Sequence, residues 1–164
     1  ENMRAITIAQ IHGWCVGGGL VLAANCDLRV AADSTRFSIP EIDLGIPLAW
    51  GGIPRLVREI GPALTKELVM TCREFGADEA LAAGFLNRSV SEKELASSVA
   101  ELASCVASKP ATPIFATKRH TNAVTGQMVG IDRAWSDADS LVAALYDPDC
   151  AKAREAYLSS KLIK

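Results

Sequence analysis

Three consecutive glycines, Gly17–Gly19, stand directly before an apolar stretch that predicts a short helix from about Leu20 to Cys26. The start of a helix presents unpaired backbone N–H groups and the positive end of the helix dipole, so such a glycine turn favours an anion. The anion could be a phosphate or an oxyanion that develops only during a reaction. The spacing matches neither G-x-G-x-x-G nor G-x-x-x-x-G-K-[ST], so the phosphate interpretation lacks support. Close packing of the backbone, which also requires glycine, is the alternative explanation.

A second candidate for chemistry is Glu41, which follows Pro40 in the segment FSIPEIDLG. Apolar side chains such as Ile39 and Ile42 stand on both sides of it. Partial removal from water raises the pKa of a carboxyl group, which makes Glu41 a candidate proton acceptor or donor. A lone glutamate in a loop is more often a solvated surface group, and that remains the alternative.

Two tryptophans, Trp14 and Trp50, flank the two glycine-rich segments. Each either packs in the core or lines a pocket, because an indole ring offers a large apolar surface. His12 and His120 lie far apart without the spacing of metal ligands, so we expect no metal site.

Composition narrows the class of protein. The chain has 164 residues, of which 49% are hydrophobic and 22% charged, which fits one globular domain. A net charge of −2 with scattered lysines and arginines gives no reason to expect nucleic-acid binding. No apolar run is long enough to span a membrane and no signal-peptide pattern is present, so we expect no membrane association. The five cysteines lack C-x-x-C spacing, which favours a reducing, cytoplasmic location.

The elements that must position the candidate residues begin with strands. The isoleucine-rich segment Ala5–Ile11 predicts a buried strand, and Leu28–Ala32 predicts a second strand after the glycine turn and helix. This order is typical of parallel strands in an α/β fold. Residues 33–52 show no helical periodicity, so we expect extended strand and loop there.

Helices dominate the rest of the chain, apart from a predicted strand at Phe85–Val90. Gly61–Pro62 should interrupt one helical stretch, and the S-x-x-E pattern at Ser91 predicts the start of another. The predicted helices are Ile53–Ile60, Ala63–Thr71, Asp78–Ala83, Ser91–Ser108, Ile114–Thr125, Met128–Leu145 and Cys150–Ser160. We therefore expect an α/β core over residues 1–109 and a helical C-terminal region over residues 110–164.

Four motifs together resemble the crotonase superfamily, the enoyl-CoA hydratase/isomerase family. The first is G-x-x-x-G-G-G-x-x-L-x-x-x-C-D from Gly13, preceded by His12 where the family has asparagine. The others are F-x-x-P-E-x-x-L-G from Phe37, G-G-x-x-R-L from Gly51, and ADEALAAGFLNRSV from Ala77. The resemblance implies a core of repeated ββα units, acyl-CoA substrates, and trimers or dimers of trimers with C-terminal helices between subunits. It implies no cofactor besides the coenzyme A of the substrate.

The resemblance also assigns roles to single residues. The family's middle glycine donates its N–H to the thioester oxygen as an enolate forms, and the matching residue is Gly18. The carboxylate of the P-E-x-x-L-G motif matches Glu41, which would move a proton to or from a carbon near the thioester. We expect the remaining substrate contacts from Trp14, Gly17, Val21, Leu48, Ala49 and Trp50.

The sequence departs from the hydratase pattern at Val21, where hydratases of the family carry a second glutamate. Hydration benefits from two carboxylates that hold one water, whereas moving a double bond needs one base. Val21 therefore favours isomerase-like, single-glutamate chemistry, with a hydratase that uses Glu41 alone or a decarboxylase as alternatives. Leu48 and Trp50 replace smaller residues and suggest a reshaped acyl pocket.

A further departure concerns coverage. The family's N-terminal portion supplies the other oxyanion-hole N–H and much of the CoA-binding surface, and it has no counterpart in these residues. The resemblance therefore covers the C-terminal part of the fold. This departure and Val21 leave open a non-catalytic acyl-CoA-binding or assembly protein.

Overall fold

The strands of the computed structural model, which describes residues 2–134 and 136–162, belong to two small sheets. The strands are β1 (Ile8–Ile11), β2 (Trp14–Val16), β3 (Leu28–Ala32), β4 (Arg36–Ser38), β5 (Phe75–Gly76) and β6 (Arg88–Val90). The helices are α1 (Gly18–Ala24), α2 (Gly52–Thr71), α3 (Ala77–Ala82), α4 (Leu95–Ala107), α5 (Ala111–Met128), α6 (Asp137–Tyr146) and α7 (Pro148–Leu162). A short 3-10 helix covers Ile131–Ala134.

The first two units of the chain each contain two strands and a helix, in the order β1-β2-α1 and β3-β4-α2. The first strands of the units pair in parallel in one sheet of order β1-β3-β6, with Ile8 opposite Leu28. The second strands pair in parallel in the other sheet, where Trp14 lies opposite Arg36, and β5 joins β4 antiparallel. This arrangement confirms the predicted α/β class with crotonase-like ββα units.

The core lies between the two sheets and helices α1 and α2. Three phenylalanines form its centre: the rings of Phe37 and Phe75 stack at 5.2 Å, and Phe85 meets Phe37 edge-on at 6.0 Å. Such aromatic pairs contribute about 0.5–1.5 kcal/mol each beyond the burial of their area. The cluster fixes β4, and β4 leads directly into the segment that carries Glu41.

One buried arginine connects several elements of the core. Arg29 on β3 is only 5% exposed, and its guanidinium donates to the carbonyls of Phe85 at 2.5 Å and Cys26 at 2.7 Å. Its remaining nitrogen pairs with Glu59 of α2 at 2.5 Å. A buried charge is tolerated only when it is paired and hydrogen-bonded in this way.

Lys118 connects helix α5 to the segments before β1 and β3 through two hydrogen bonds. Its ammonium donates to the carbonyl of Ala5 at 2.8 Å and to the carboxylate of Asp27 at 2.7 Å. Thr7 donates to the same carboxylate through its N–H and its hydroxyl. Burial by itself would raise the pKa of Asp27, but the hydrogen bonds from Lys118 and Thr7 outweigh it and hold the pKa below its usual range.

The predicted break at Gly61–Pro62 is confirmed, because Gly61 has φ 78° and ψ 164° and interrupts α2. The strand predicted at Ala5–Ile11 is shorter and covers Ile8–Ile11, and the strand predicted at Phe85–Val90 begins only at Arg88. These ends are shorter because β1 and β6 pair only where β3 runs alongside them.

Two helix predictions were wrong. Met128–Leu145 is not one helix: α5 ends at Met128, Val129 is extended with φ −139°, and its carbonyl accepts a hydrogen bond from Arg58 at 3.0 Å. Ser91 does not cap α4, because its hydroxyl donates to the side chain of Glu94 at 2.5 Å and the helix begins only at Leu95.

Candidate functional site

The glycine triplet forms the start of α1. Gly17 links β2 to the helix with φ 51°, a conformation that side chains with a β-carbon rarely adopt. Its N–H donates to the carbonyl of Ser38 at 3.0 Å, and its carbonyl accepts from the N–H of Val21 at 3.0 Å. Gly18 and Gly19 then occupy the first turn, where a helix provides no carbonyl for the N–H groups. The predicted helix is confirmed, and it begins two residues before Leu20.

Glu41 lies on a turn just beyond β4 rather than on an extended segment. The N–H of Leu44 donates to the carbonyl of Pro40 at 3.1 Å, and the N–H of Ile46 donates to the carbonyl of Glu41 at 2.9 Å. These bonds fold the segment back on itself. The side chain of Glu41 is thereby turned towards Gly17.

The carboxylate of Glu41 lies directly against the backbone of Gly17. A β-carbon on Gly17 would overlap Oε1 of Glu41 and would stand 3.2 Å from its Cδ. Oε2 is buried without a hydrogen-bond partner among the described residues. Burial raises the pKa of Glu41 above its ordinary range, and a hydrogen bond with its own backbone opposes this only in part. The site therefore holds a partly buried carboxylate beside the start of a helix. The apolar neighbours of Glu41 in the sequence predicted this partial burial.

Trp50 lies against the next glycine. A β-carbon on Gly18 would overlap Cζ3 of the indole and would stand 3.2 Å from Cη2. The indole is 75% exposed, so packing in the core is excluded for Trp50 in the described chain. Glu41 and Trp50 thus cover two successive glycines, and a β-carbon at either position would displace the side chain that lies against it.

Val21 lies three residues after Gly18 on α1 and is buried in the core. Its Cγ2 and the Cγ of Leu48 each lie 2.9 Å from the point where a β-carbon on Gly52 would stand. Val21 and Leu48 are almost fully buried. The side of α1 that follows Gly18 is therefore closed by apolar packing instead of carrying a second carboxylate.

The other expected contact residues take different positions. Ala49 is half-buried, and its carbonyl accepts from the N–H of Gly52 at 3.0 Å. Trp14 begins β2 and is 60% exposed, so it does not pack in the core of the described chain. Its role in binding substrate, like that of Ala49, stays a prediction.

Two residues that the sequence analysis did not single out hold the segment of Trp50. Asp137, at the start of α6, accepts a hydrogen bond from the N–H of Gly51 at 2.8 Å. Arg55 donates to the carbonyls of Trp50 at 3.3 Å and Gly51 at 3.0 Å. The G-G-x-x-R-L motif contained a signal for Arg55, whereas Asp137 is 86 residues from Gly51 and no local pattern could have indicated it.

A large cavity lies away from these residues. A cavity of about 540 Å³ separates α5 from the core and is lined by residues that include Asp27, Arg29 and Lys118, but by neither Gly18 nor Glu41. Its charged groups are already paired with each other or with backbone. We therefore place the candidate site at Gly17, Gly18 and Glu41, where a desolvated carboxylate meets a helix start.

Residues 2–134 and 136–162 contain no group of three histidine, cysteine, aspartate or glutamate side chains able to hold a metal ion. No helix within the same ranges has both the length and the apolar character needed to cross a membrane.

Comparisons with known proteins agree with the motifs. A crotonyl-CoA hydratase from Syntrophomonas wolfei is 35% identical over 162 residues, which cover 98% of this chain and 62% of the relative. A carnitinyl-CoA dehydratase from Escherichia coli is 41% identical over 117 residues, 71% of this chain and 45% of that protein. The crystal structure of a methylmalonyl-CoA decarboxylase superimposes with a TM-score of 0.80 at 27% identity, over 93% of this chain and 60% of its own.

The chain thus spans less than two thirds of the length of these relatives. The family model described as enoyl-CoA hydratase/isomerase matches residues 1–161, which is nearly the whole chain. With the ββα units and the glycine and glutamate motifs in place, this match shows that the chain belongs to the enoyl-CoA hydratase/isomerase family.

Proposed function

We propose that this chain provides the proton-transfer site of an enzyme that acts on acyl-CoA thioesters. The observation that carries the proposal is the position of Glu41, whose desolvated carboxylate lies against Gly17 at the start of α1. In this arrangement the base can remove a proton from a carbon of the substrate. The N–H groups at the start of the helix can meanwhile bind the neighbouring carbonyl oxygen.

The proposed chemistry begins when the thioester oxygen accepts a hydrogen bond from the N–H of Gly18. Glu41 then takes a proton from a carbon near the thioester, and the electron pair left behind moves onto the oxygen as an enolate. One preorganised donor of this kind typically contributes about 3–4 kcal/mol to the stabilisation of such an oxyanion. The protonated Glu41 next returns its proton to a carbon further along the acyl chain, so the double bond has moved and no atom is gained or lost.

Val21 supports an isomerase-like reaction over a two-carboxylate hydration. Its side chain is packed against Leu48 and Gly52, so it offers no group that could bind or activate a water molecule. A single carboxylate is sufficient to remove a proton and return it. Glu41 would therefore carry the whole proton transfer.

Hydration of an enoyl-CoA by Glu41 alone is the second candidate. The names of two relatives, a crotonyl-CoA hydratase and a carnitinyl-CoA dehydratase, favour it. A decarboxylase on the same fold is a third possibility, favoured by the similarity to methylmalonyl-CoA decarboxylase. All three use the same oxyanion donor and differ in what Glu41 protonates or deprotonates.

We also propose that the enzyme works as a trimer or a dimer of trimers and uses no cofactor besides the coenzyme A of its substrate. Both proposals come from the family to which the chain belongs. Sedimentation of the purified protein would test the first, and turnover after dialysis against a chelator would test the second.

Glu41→Gln in the full-length protein tests the central proposal. The variant should lose isomerisation of a 3-enoyl-CoA by at least about a hundredfold, because removal of a general base typically costs 10²–10⁴-fold. Glu101→Gln, an exposed glutamate on α4, is the matched control and should keep the wild-type rate.

Each result separates the candidates. An unchanged rate in Glu41→Gln would contradict the role of Glu41. Wild-type protein that hydrates a 2-enoyl-CoA but does not isomerise a 3-enoyl-CoA would support the second candidate. Calorimetric binding of an acyl-CoA with no turnover in any of the three assays would indicate a non-catalytic binding protein.

A further inference from the structure

The turn that carries Trp50 has an unusual backbone. Trp50 has φ 59° and Gly51 has φ 66°, so two successive residues are left-handed. Glycine adopts this conformation freely, but for a bulky aromatic residue it is an outlier that costs free energy. Such a conformation persists only where its surroundings hold it in place.

Side chains of two helices, α2 and α6, form hydrogen bonds with the backbone of this turn. Arg55, one turn into α2, donates to the carbonyls of Trp50 and Gly51. Asp137 accepts from the N–H of Gly51 at 2.8 Å. Hydrogen bonds to a charged partner are stronger than neutral ones, so the carboxylate of Asp137 is well suited to fix the direction of the N–H.

A second contact places another C-terminal helix against the segment that carries Glu41. Gly45 closes the turn of Glu41 with φ 67°, and a β-carbon there would overlap the carbonyl oxygen of Cys150 in α7. Helix α7 therefore packs on the turn of Glu41, while α6 binds the turn of Trp50. The two turns that approach the glycines are both backed by this region.

We propose that Asp137 is a positioning residue, which holds the Trp50–Gly51 turn so that the indole lies over Gly18 and bounds the acyl subsite. This inference rests on the proposed function, in which Gly18 binds the thioester oxygen. The ring then occupies the space beside the first carbons of the acyl group. It should favour straight acyl chains over chains that branch at the carbon next to the thioester.

The position of the ring can be measured without any turnover. In a ¹⁵N–¹H spectrum of the full-length protein, the indole signal of Trp50 is identified by its loss in Trp50→Phe. The signal should shift in Asp137→Ala and stay close to the wild-type position in Asp137→Asn, which keeps an oxygen acceptor. It should not move in Asp139→Ala, which removes an equal charge from the same first turn of α6 without a contact to Gly51.

The substrate preference is measured on the same variants. The ratio of kcat/KM for a straight-chain substrate to kcat/KM for a 2-methyl-branched substrate should fall about tenfold in Asp137→Ala, as expected for loss of one charge-assisted hydrogen bond. Asp137→Asn should recover most of the ratio, and Asp139→Ala should leave it unchanged. Trp50→Ala should change it in the same direction as Asp137→Ala.

The outcomes distinguish the inference from the proposed function. An unmoved indole signal in Asp137→Ala would overturn the positioning role, and a moved signal with an unchanged ratio would overturn the role of the ring in substrate choice. Wild-type protein without turnover would contradict the proposed function, while the indole signal would still decide the positioning role. If Asp137→Ala does not fold, amide exchange in the wild type decides: fast exchange of the Gly51 N–H would contradict its bond to Asp137.

Discussion

Oε1 of Glu41 occupies the space in which a side chain at Gly17 would begin. The glycine therefore has two functions, since it also adopts φ 51° where the chain passes from β2 to α1. The glycine next to it is covered by Trp50 in the same manner. A comparison of single alanine substitutions in the triplet separates these requirements.

Gly17→Ala should lower stability, whereas Gly19→Ala should not. The first substitution places a β-carbon on Oε1 of Glu41 and strains a left-handed residue, which costs at least about 1–2 kcal/mol. A β-carbon on Gly19 meets open space within the helix, and alanine should stabilise the helix by about 0.5 kcal/mol. Denaturant unfolding of both variants tests this, and equal effects would show that neither the contact with Glu41 nor the left-handed backbone of Gly17 makes alanine costly there.

Glu41→Gln should stabilise the protein at neutral pH. Burial raises the pKa of Glu41 in the folded state, so the folded protein favours the protonated carboxyl. The contribution of this group to stability is therefore present below the ordinary pKa of glutamate and is lost as the pH rises through the raised value. Glutamine remains neutral throughout, so its advantage should grow with rising pH across this window.

Thermal melts of Glu41→Gln and wild-type protein from pH 4 to pH 8 measure the difference, with Glu101→Gln as the exposed control. A difference that does not change with pH would show that the pKa of Glu41 is the same in the folded and unfolded chains. A stabilised but inactive Glu41→Gln variant would indicate that the ionised carboxylate of Glu41 is needed for activity and lowers the stability of the folded protein.

Arg29→Met should be strongly destabilising, by about 3–5 kcal/mol, because it leaves Glu59 and two buried carbonyls without their partner. Arg73 on the surface provides the contrast. It binds Glu67 and Glu79 through four hydrogen bonds, yet its side chain is 38% exposed and water can replace these bonds. Urea unfolding should therefore show little change in Arg73→Met, and a loss as large as that of Arg29→Met would contradict this ranking.

Lys118→Met should lower the free energy of unfolding by up to about 3 kcal/mol. This loss is at the lower end of what breaking a buried ion pair costs, because Asp27 keeps its hydrogen bonds from Thr7. The pKa of Asp27 is lowered in the folded state, so its contribution is present above the ordinary aspartate value and is lost as the pH falls through the lowered value. The variant should lose less stability than the wild type over this acid range. Lys66→Met, an exposed lysine on α2, is the control that should keep the wild-type acid profile.

The features that the sequence predicted are those encoded by neighbouring residues. The glycines before α1, the interruption at Gly61 and the partial burial of Glu41 depend on backbone freedom and on flanking apolar side chains. These properties act within a few residues along the chain. The motifs that identify the family have the same local character.

The features that the sequence did not predict arise from distant contacts. Helix α5 ends at Met128 where the carbonyl of Val129 is held by Arg58, 71 residues away. The bond from Gly51 to Asp137 and the exposed position of Trp50 likewise depend on how the helices pack. Local periodicity contains no information on any of these contacts.

The bond between Lys118 and Asp27 has a consequence for synthesis on the ribosome. The two residues are 91 positions apart, and at about 5–20 residues per second the lysine is added roughly 5–18 s after the aspartate. During this interval the emerging chain contains Asp27 and Thr7 without the cation that later covers them. The junction between α1 and β3 can reach its final burial only when α5 has left the ribosome, so translation speed sets the earliest time at which this protein completes its fold.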